Sequence, residues 1–299
     1  MVAARSVGEG RRVLRLLVLA NSYPTAAAPS AAAYLTNRLA ALDRRDDVEV
    51  VAIALVPTYS RPAALARRAR GLTSADALAL APAAGRLLRA APVEWSLADV
   101  TAGRLGRRPR SAVRRATRAV RQSLGEWRPD AVLAHGMYTL PAGEIARRIA
   151  EQAGAPFVVG LHGSDVTQVS ARAPRSARAT LEDAAATIYV SAALRDRAVQ
   201  LGLPERDTHV VPNGVDTALF GPASVSPASV EPGAGPGGDP WRADAAAPRL
   251  LFVGNLLPVK GADRLPAILA AVRRRAPGAH LDVVGGGPTH ARRRRAAGA

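Results

Sequence analysis

The chain has 299 residues, of which 48% are apolar, and its 41 Lys and Arg against 24 Asp and Glu leave a formal charge of +17. The absence of cysteine excludes disulfides, thiolate zinc sites and cysteine nucleophiles. The length suits roughly two domains, and the charge points to an acidic partner such as nucleic acid, an anionic membrane surface or a phosphorylated substrate, among which composition does not choose.

Short apolar runs rich in Val, Ile and Leu alternate with longer amphipathic stretches. Strands are expected at Val13–Ala20, Val48–Val56, Ala131–Ala134, Phe157–Leu161, Thr187–Val190 and His209–Val211. Basic residues precede the first run, but Arg15 interrupts it and Asn21-Ser22-Tyr23-Pro24 follows without a small-residue cleavage pattern. It reads as a buried first strand, not as a signal peptide or a membrane span, and the expected location is the cytoplasm. Helices are expected at Ala31–Leu42, Pro141–Ala153, Ala177–Ala184 and Ala192–Leu201. This rhythm predicts an α/β fold with a parallel sheet and crossover helices.

A further helix is expected over Arg104–Trp127. Arg110, Arg114, Arg118 and Arg121 fall on one side of it, and Val113, Val120, Leu124 and Trp127 on another. The basic side reads as a solvated face, with attraction to an anionic bilayer as the functional alternative. Nucleic acid is disfavoured: only 4% of residues are aromatic and none interleaves with these arginines.

From Gly221 to Pro248 the composition turns to Pro, Gly, Ala and Ser, which predicts a linker. The expected organisation is a first domain at 1–218, a linker at 219–248 and a second body at 249–299. In that second body, strands at Arg249–Val253 and Ala279–Val284 flank a helix at Ala262–Ala276. One such unit of about 50 residues buries little apolar surface.

Ligands of an open parallel sheet bind beyond the carboxyl ends of its strands, and the residues there are polar or glycine-rich. His162-Gly163-Ser164-Asp165 follows one run, Ser191 another, and Pro212-Asn213-Gly214 a third. In the second body Gly254-Asn255 and Lys260-Gly261 follow one strand, and Gly285-Gly286-Gly287 the other. Lys260 is the only lysine in the chain. A lysine delivers a point charge where arginine delivers a planar fork, and a glycine-rich turn lets backbone N–H groups approach a phosphate. The order Lys260-Gly261-Ala262 does not fit a Walker A loop, and the first turn lacks Gly-x-Gly-x-x-Gly, which argues against an NAD enzyme. His162 and Asp165 also have plain readings, as a turn residue and a helix cap. Asn213-Gly214 suits a tight turn.

Taken in order, Val210-Val211-Pro212-Asn213-Gly214-Val215-Asp216, Val253-Gly254-Asn255-Leu256-Leu257-Pro258-Val259-Lys260-Gly261 and Val284-Gly285-Gly286-Gly287-Pro288 resemble the family-4, retaining glycosyltransferases of GT-B fold. The resemblance implies two Rossmann-like domains and transfer of a sugar from a nucleotide-diphosphate donor to an acceptor, with no metal or other cofactor. It implies that Lys260 neutralises the donor diphosphate in the interdomain cleft, with Gly254, Asn255, Gly285, Gly286 and Gly287 bordering the nucleotide. His162 would then lie near the transferred sugar as the catalytic residue, with Asp165, Ser191, Asn213 and Gly214 as further sugar or interdomain contacts.

The chain departs from the family pattern at Asn255, where arginine is usual, and in Pro24–Ser30, where glycine is usual. It also ends before the family's late pair of glutamates. The expectation is therefore a copy truncated within its donor domain, with enzyme activity left open. A non-catalytic remnant or binding module, and a sugar-nucleotide epimerase of the same fold, are the alternatives.

Overall fold

The computed structural model describes residues 12–72, 76–105, 107–138, 140–170, 174–218, 220 and 248–287. These fall into two compact units, one ending at residue 220 and one starting at 248. Nearly all of the predicted 219–248 linker, and the arginine run Arg292–Arg295, lie outside the described residues.

The first unit is built on seven parallel strands. They are β1 (Leu14–Ala20), β2 (Val48–Tyr59), β3 (Arg89–Trp95), β4 (Ala131–His135), β5 (Phe157–Leu161), β6 (Ala186–Tyr189) and β7 (Thr208–Val210), ordered β3-β2-β1-β4-β5-β6-β7. Successive side chains of a strand point to opposite faces. Leu17 and Leu19 of β1 therefore enter one core with Ile53, Val113 and Ile145, while Val18 and Ala20 enter another with Leu35 and Leu39. A strand covered on both faces must be apolar at every position, which is why the central strands read as unbroken hydrophobic runs.

The helices of this unit are α1 (Ala33–Asp43), α2 (Arg61–Arg68), α3 (Leu97–Arg104), α4 (Arg110–Leu124), α5 (Ala142–Ala153), α6 (Pro174–Glu182) and α7 (Ala192–Gln200). The single helix expected over Arg104–Trp127 is a correction: Arg104 is the last residue of the separate helix α3, and the expected helix is confined to α4, which starts at Arg110 with Pro109 at its N-cap. Proline disfavours helical geometry in the residue before it, so the break belongs there. At the other end Gly125 takes a positive φ of 58°, and Trp127 lies beyond it, donating its indole N–H to Glu49 at 2.8 Å. The amphipathic arrangement holds within α4: Val113 and Val120 are buried, while Arg110, Arg114, Arg118 and Arg121 are exposed.

Strand β3, helix α2 and, apart from Arg104, helix α3 have no counterpart among the expected elements. β3 carries Pro92, and proline fits because β3 is an edge strand that pairs only with β2. Its far end is fixed by Asp99 of α3, whose side chain is buried. Asp99 accepts from the Ser96 hydroxyl at 2.6 Å and the Ala112 amide at 3.1 Å, and also pairs with Ser111 and Arg115. Ser96 returns the bond by accepting from the Asp99 amide at 3.2 Å, closing a capping box. Arg115 also donates to the Glu94 carbonyl at 2.7 Å, so one cluster holds β3, α3 and α4 together. A second buried carboxylate, Glu144 of α5, pairs with Arg108 and Arg148 and pins the turn before α4 to α5.

The second unit pairs β8 (Arg249–Val253) with β9 (His280–Val284) in parallel, connected through α8 (Leu265–Arg273). The helix expected from Ala262 begins as two tight turns, Pro258–Lys260 and Ala262–Arg264, and becomes regular only at Leu265 with Pro266 in its first turn. Its core is small, formed by Leu256, Ala262 and Leu265 with Phe252 and Leu281 against them. On the strands, Leu251, Val253 and Val284 each remain more than half exposed.

Two outcomes follow. Burial pushes the Asp99 carboxyl up, but hydrogen bonds from Ser111, Ser96 and the Ala112 amide outweigh it and hold the group well below the usual carboxylate range. Asp99→Ala should therefore lower unfolding stability by about 2–4 kcal/mol in urea titrations at pH 7, because it strands the paired donors. In hydrogen exchange, amides of β8 and β9 should exchange at least tenfold faster than those of β1 and β4, as their small core implies.

Candidate active site

The strand order reverses between β1 and β4, and the carboxyl ends of β1, β4 and β5 lie side by side there. In register, Ala20 faces His135 and His135 faces Gly160. Asn21, His135 and His162 are thus brought together by the topology at the point where a doubly wound sheet opens a crevice.

His135 Nδ1 and His162 Nε2 are 2.8 Å apart and share one hydrogen bond. The Tyr34 ring of α1 packs on the His162 ring with centroids 4.2 Å apart and planes inclined by 31°. Arg38 follows Tyr34 by one helical turn. Burial, then His162, then the charge of Arg38 push His135 down to about 3, and burial followed by Arg38 pushes His162 down to about 4. Both imidazoles are neutral at pH 7. The other two nitrogens, His135 Nε2 and His162 Nδ1, are buried and have no hydrogen-bond partner among the described residues.

The His162 backbone is shaped by Asp165, which is fully buried. Its carboxylate accepts from the amides of His162 at 3.0 Å, Gly163 at 2.7 Å and Val166 at 3.0 Å. Burial pushes this carboxyl up while the backbone donors oppose the shift. Asp165 therefore closes the loop and starts a single wide π-helical turn over Asp165–Ser170. Irregular turns of this kind re-aim side chains next to functional sites.

Ser191 is exposed and caps α7, accepting from the Leu194 amide at 3.2 Å. Asn213 and Gly214 are exposed beyond β7 in chain without regular structure.

In the second unit, Gly254, Asn255 and Gly285–Gly287 lie together because the loops after β8 and β9 continue the strand pairing. The Gly254 amide donates to the Val284 carbonyl at 2.9 Å and the Leu256 amide to the Gly286 carbonyl at 2.8 Å. This approach leaves no room for side chains: a Cβ on Gly285 would sit 1.9 Å from the Gly254 carbonyl oxygen, and one on Gly287 would sit 2.8 Å from that of Leu256. Gly286 faces open space. Lys260 closes the tight turn that follows and is exposed. Among the described residues no group of three or more His, Cys, Asp or Glu could hold a metal ion, and no helix is long and apolar enough to cross a membrane.

Sequence reasoning singled out His162 but left His135, Tyr34 and Asn21 without a role. The signal for His135 was its position immediately after the expected Ala131–Ala134 strand, at the same sheet edge as His162. Tyr34 and Asn21 carried no such signal, because their proximity depends on how α1 crosses the sheet.

Residues 30–219 match the model of Glycosyltransferase Family 4. The chain is 31% identical over 141 residues to a GDP-mannose-dependent alpha-(1-6)-phosphatidylinositol monomannoside mannosyltransferase of Mycobacterium tuberculosis, a match covering 46% of this chain and 34% of the relative. It is 32% identical over 142 residues to the enzyme of that name from Mycolicibacterium smegmatis, covering 47% and 35%. The matches thus span about a third of the length of these curated relatives. Among solved structures, Anabaena HepE in complex with UDP superposes with a TM-score of 0.53 at 18% identity, covering 92% of this chain and 61% of that one, which shows a common fold.

The imidazole pair makes stability depend on pH in a definite direction. Both groups bind protons less readily folded than unfolded, so their contribution is complete above about pH 6.5 and is lost as pH falls towards the folded values. Chemical denaturation at pH 5 should show roughly 2 kcal/mol less stability per imidazole than at pH 8. His135→Asn should flatten that slope.

Proposed function

Since the chain belongs to glycosyltransferase family 4, we propose that it moves a hexose from a nucleotide-diphosphate donor to an acceptor with retention of configuration, needing no metal. The observation that carries this reading is the neutral His162, held by Asp165 and His135 at the switch point of the sheet. As the bond to the nucleotide breaks, the sugar carbon gains positive character and the departing diphosphate gains negative charge. A neutral imidazole can hydrogen-bond the sugar without repelling that carbon, whereas an imidazolium would oppose the charge. On the donor side, the exposed Lys260 ammonium and the glycine loop ending in Gly287 supply a cation and close backbone access for the diphosphate.

The two donors that the relatives suggest are GDP-mannose, from the mycobacterial enzymes, and UDP-glucose, with which HepE has been solved. The setting that goes with this reading is the cytoplasm, with peripheral contact to an anionic membrane surface. The exposed arginines Arg110, Arg114, Arg118 and Arg121 of α4 support that contact.

Titration calorimetry of the full chain with GDP-mannose and UDP-glucose tests the reading. One of the two should bind saturably, and Lys260→Ala should weaken it about tenfold, with Lys260→Arg restoring only part. Where transfer is measured with the radiolabelled donor, His162→Ala should lower kcat about 100-fold with little change in donor KM. Failure of both donors to bind overturns the proposal.

A further inference from the structure

Each imidazole of the His135–His162 pair is neutral and so holds one proton, on one of its two nitrogens. The contact between them, from His135 Nδ1 to His162 Nε2 at 2.8 Å, needs one proton and one lone pair, which leaves two arrangements. In the first, His135 Nδ1–H donates to His162 Nε2, and His162 holds its own proton on Nδ1. In the second, His162 Nε2–H donates to His135 Nδ1, and His135 holds its own proton on Nε2. Either way one N–H lacks an acceptor, because the two remaining nitrogens are buried and unpartnered among the described residues. Folded proteins leave donors orphaned less readily than acceptors, so the position of that N–H decides between the arrangements. His135 is completely buried at the end of β4, and a proton on its Nε2 would be sealed in. His162 is only partly buried on the loop after β5, and a proton on its Nδ1 belongs to a ring that reaches the surface.

We propose that His135 is a positioning residue that fixes the tautomer of His162: His135 Nδ1–H donates to His162 Nε2, and His162 keeps its proton on Nδ1. The Tyr34 ring packed on His162 and the Asp165 carboxylate on the His162 amide hold ring and backbone in that register. Gly160 of β5 leaves room for the bond, since a Cβ there would touch His135 Nδ1 at 3.4 Å and His162 Nε2 at 3.6 Å. The role of this proton in catalysis rests on the sugar-transfer reading. With Nε2 occupied by His135, His162 has a proton to offer and no lone pair to receive one. It can donate a hydrogen bond to an oxygen of the sugar or of the departing phosphate, and it cannot take the proton of an acceptor hydroxyl. His135 thereby selects one of the two roles open to a free histidine, that of donor over that of general base.

The chain has five histidines, so the full-length triple variant His209→Gln/His280→Gln/His290→Gln retains only the pair. Long-range proton–nitrogen NMR of that chain, labelled with nitrogen-15 histidine and free of substrate at pH 8, reads which nitrogen of each ring is protonated. Both rings should show a protonated Nδ1 and a bare Nε2. A protonated Nε2 on either ring, or averaging between the two forms, overturns the assignment. Two further variants separate positioning from packing. Asparagine keeps an N–H where Nδ1 stood, so His135→Asn should leave His162 protonated on Nδ1 and kcat within about threefold of the parent chain. His135→Leu removes the donor, and kcat should fall about tenfold with donor KM unchanged. A leucine variant as active as the asparagine variant overturns the positioning role, and where the leucine variant fails to fold the spectrum of the intact pair decides. Because that spectrum needs no substrate, the two levels come apart. A pair protonated on Nδ1 in a chain without transfer removes the sugar-transfer reading alone, whereas transfer by a chain whose pair is protonated on Nε2 removes the tautomer assignment alone.

Discussion

The common polarity of the seven strands is the constraint on which the first unit depends. Because every pair is parallel, each strand needs a crossover to return, and those crossovers place helices over both faces of the sheet. All carboxyl ends then open on one edge. Three of the loops on that edge meet where the order turns from β1 to β4, and the parallel pairing of β4 with β5 sets His135 beside His162.

The buried polar groups show how that edge is kept in shape. Asp165, Asp99 and Glu144 are each removed from water and each surrounded by donors, from backbone amides in the first case and from hydroxyls or guanidinium groups in the others. A carboxylate satisfied in this way resists rearrangement, since moving it exposes unpaired donors together with an unpaired charge. The imidazole pair follows a different logic. Burial and the charge of Arg38 keep its rings uncharged, so the surroundings of His162 are rigid and electrically mild at the same time.

Much of the fold could be read from the residues because the central strands are apolar on both faces. β1, β4 and β5 fell within a residue of their expected limits. β3 escaped because an edge strand tolerates Pro92 and buries only Ala91, Val93 and Trp95, a pattern too thin to separate from loop. The break between α3 and α4 was written in Pro109 and was masked by the continuous spacing of arginines across it. The candidate site was half legible. His162 stands at a strand end in a recognisable motif, whereas the roles of Tyr34 and Asn21 arise from contacts across α1 and β1 that no local pattern encodes.

The glycine loops of the second unit place unequal demands on neighbouring positions. Gly285 and Gly287 are fixed by the carbonyls pressed against them, while Gly286 between them is sterically free. Sequence drift in this stretch is therefore channelled: change is admitted at the central position and refused at its flanks. Any side chain that this turn presents has to come from one residue, so the loop can vary its chemistry without varying its path.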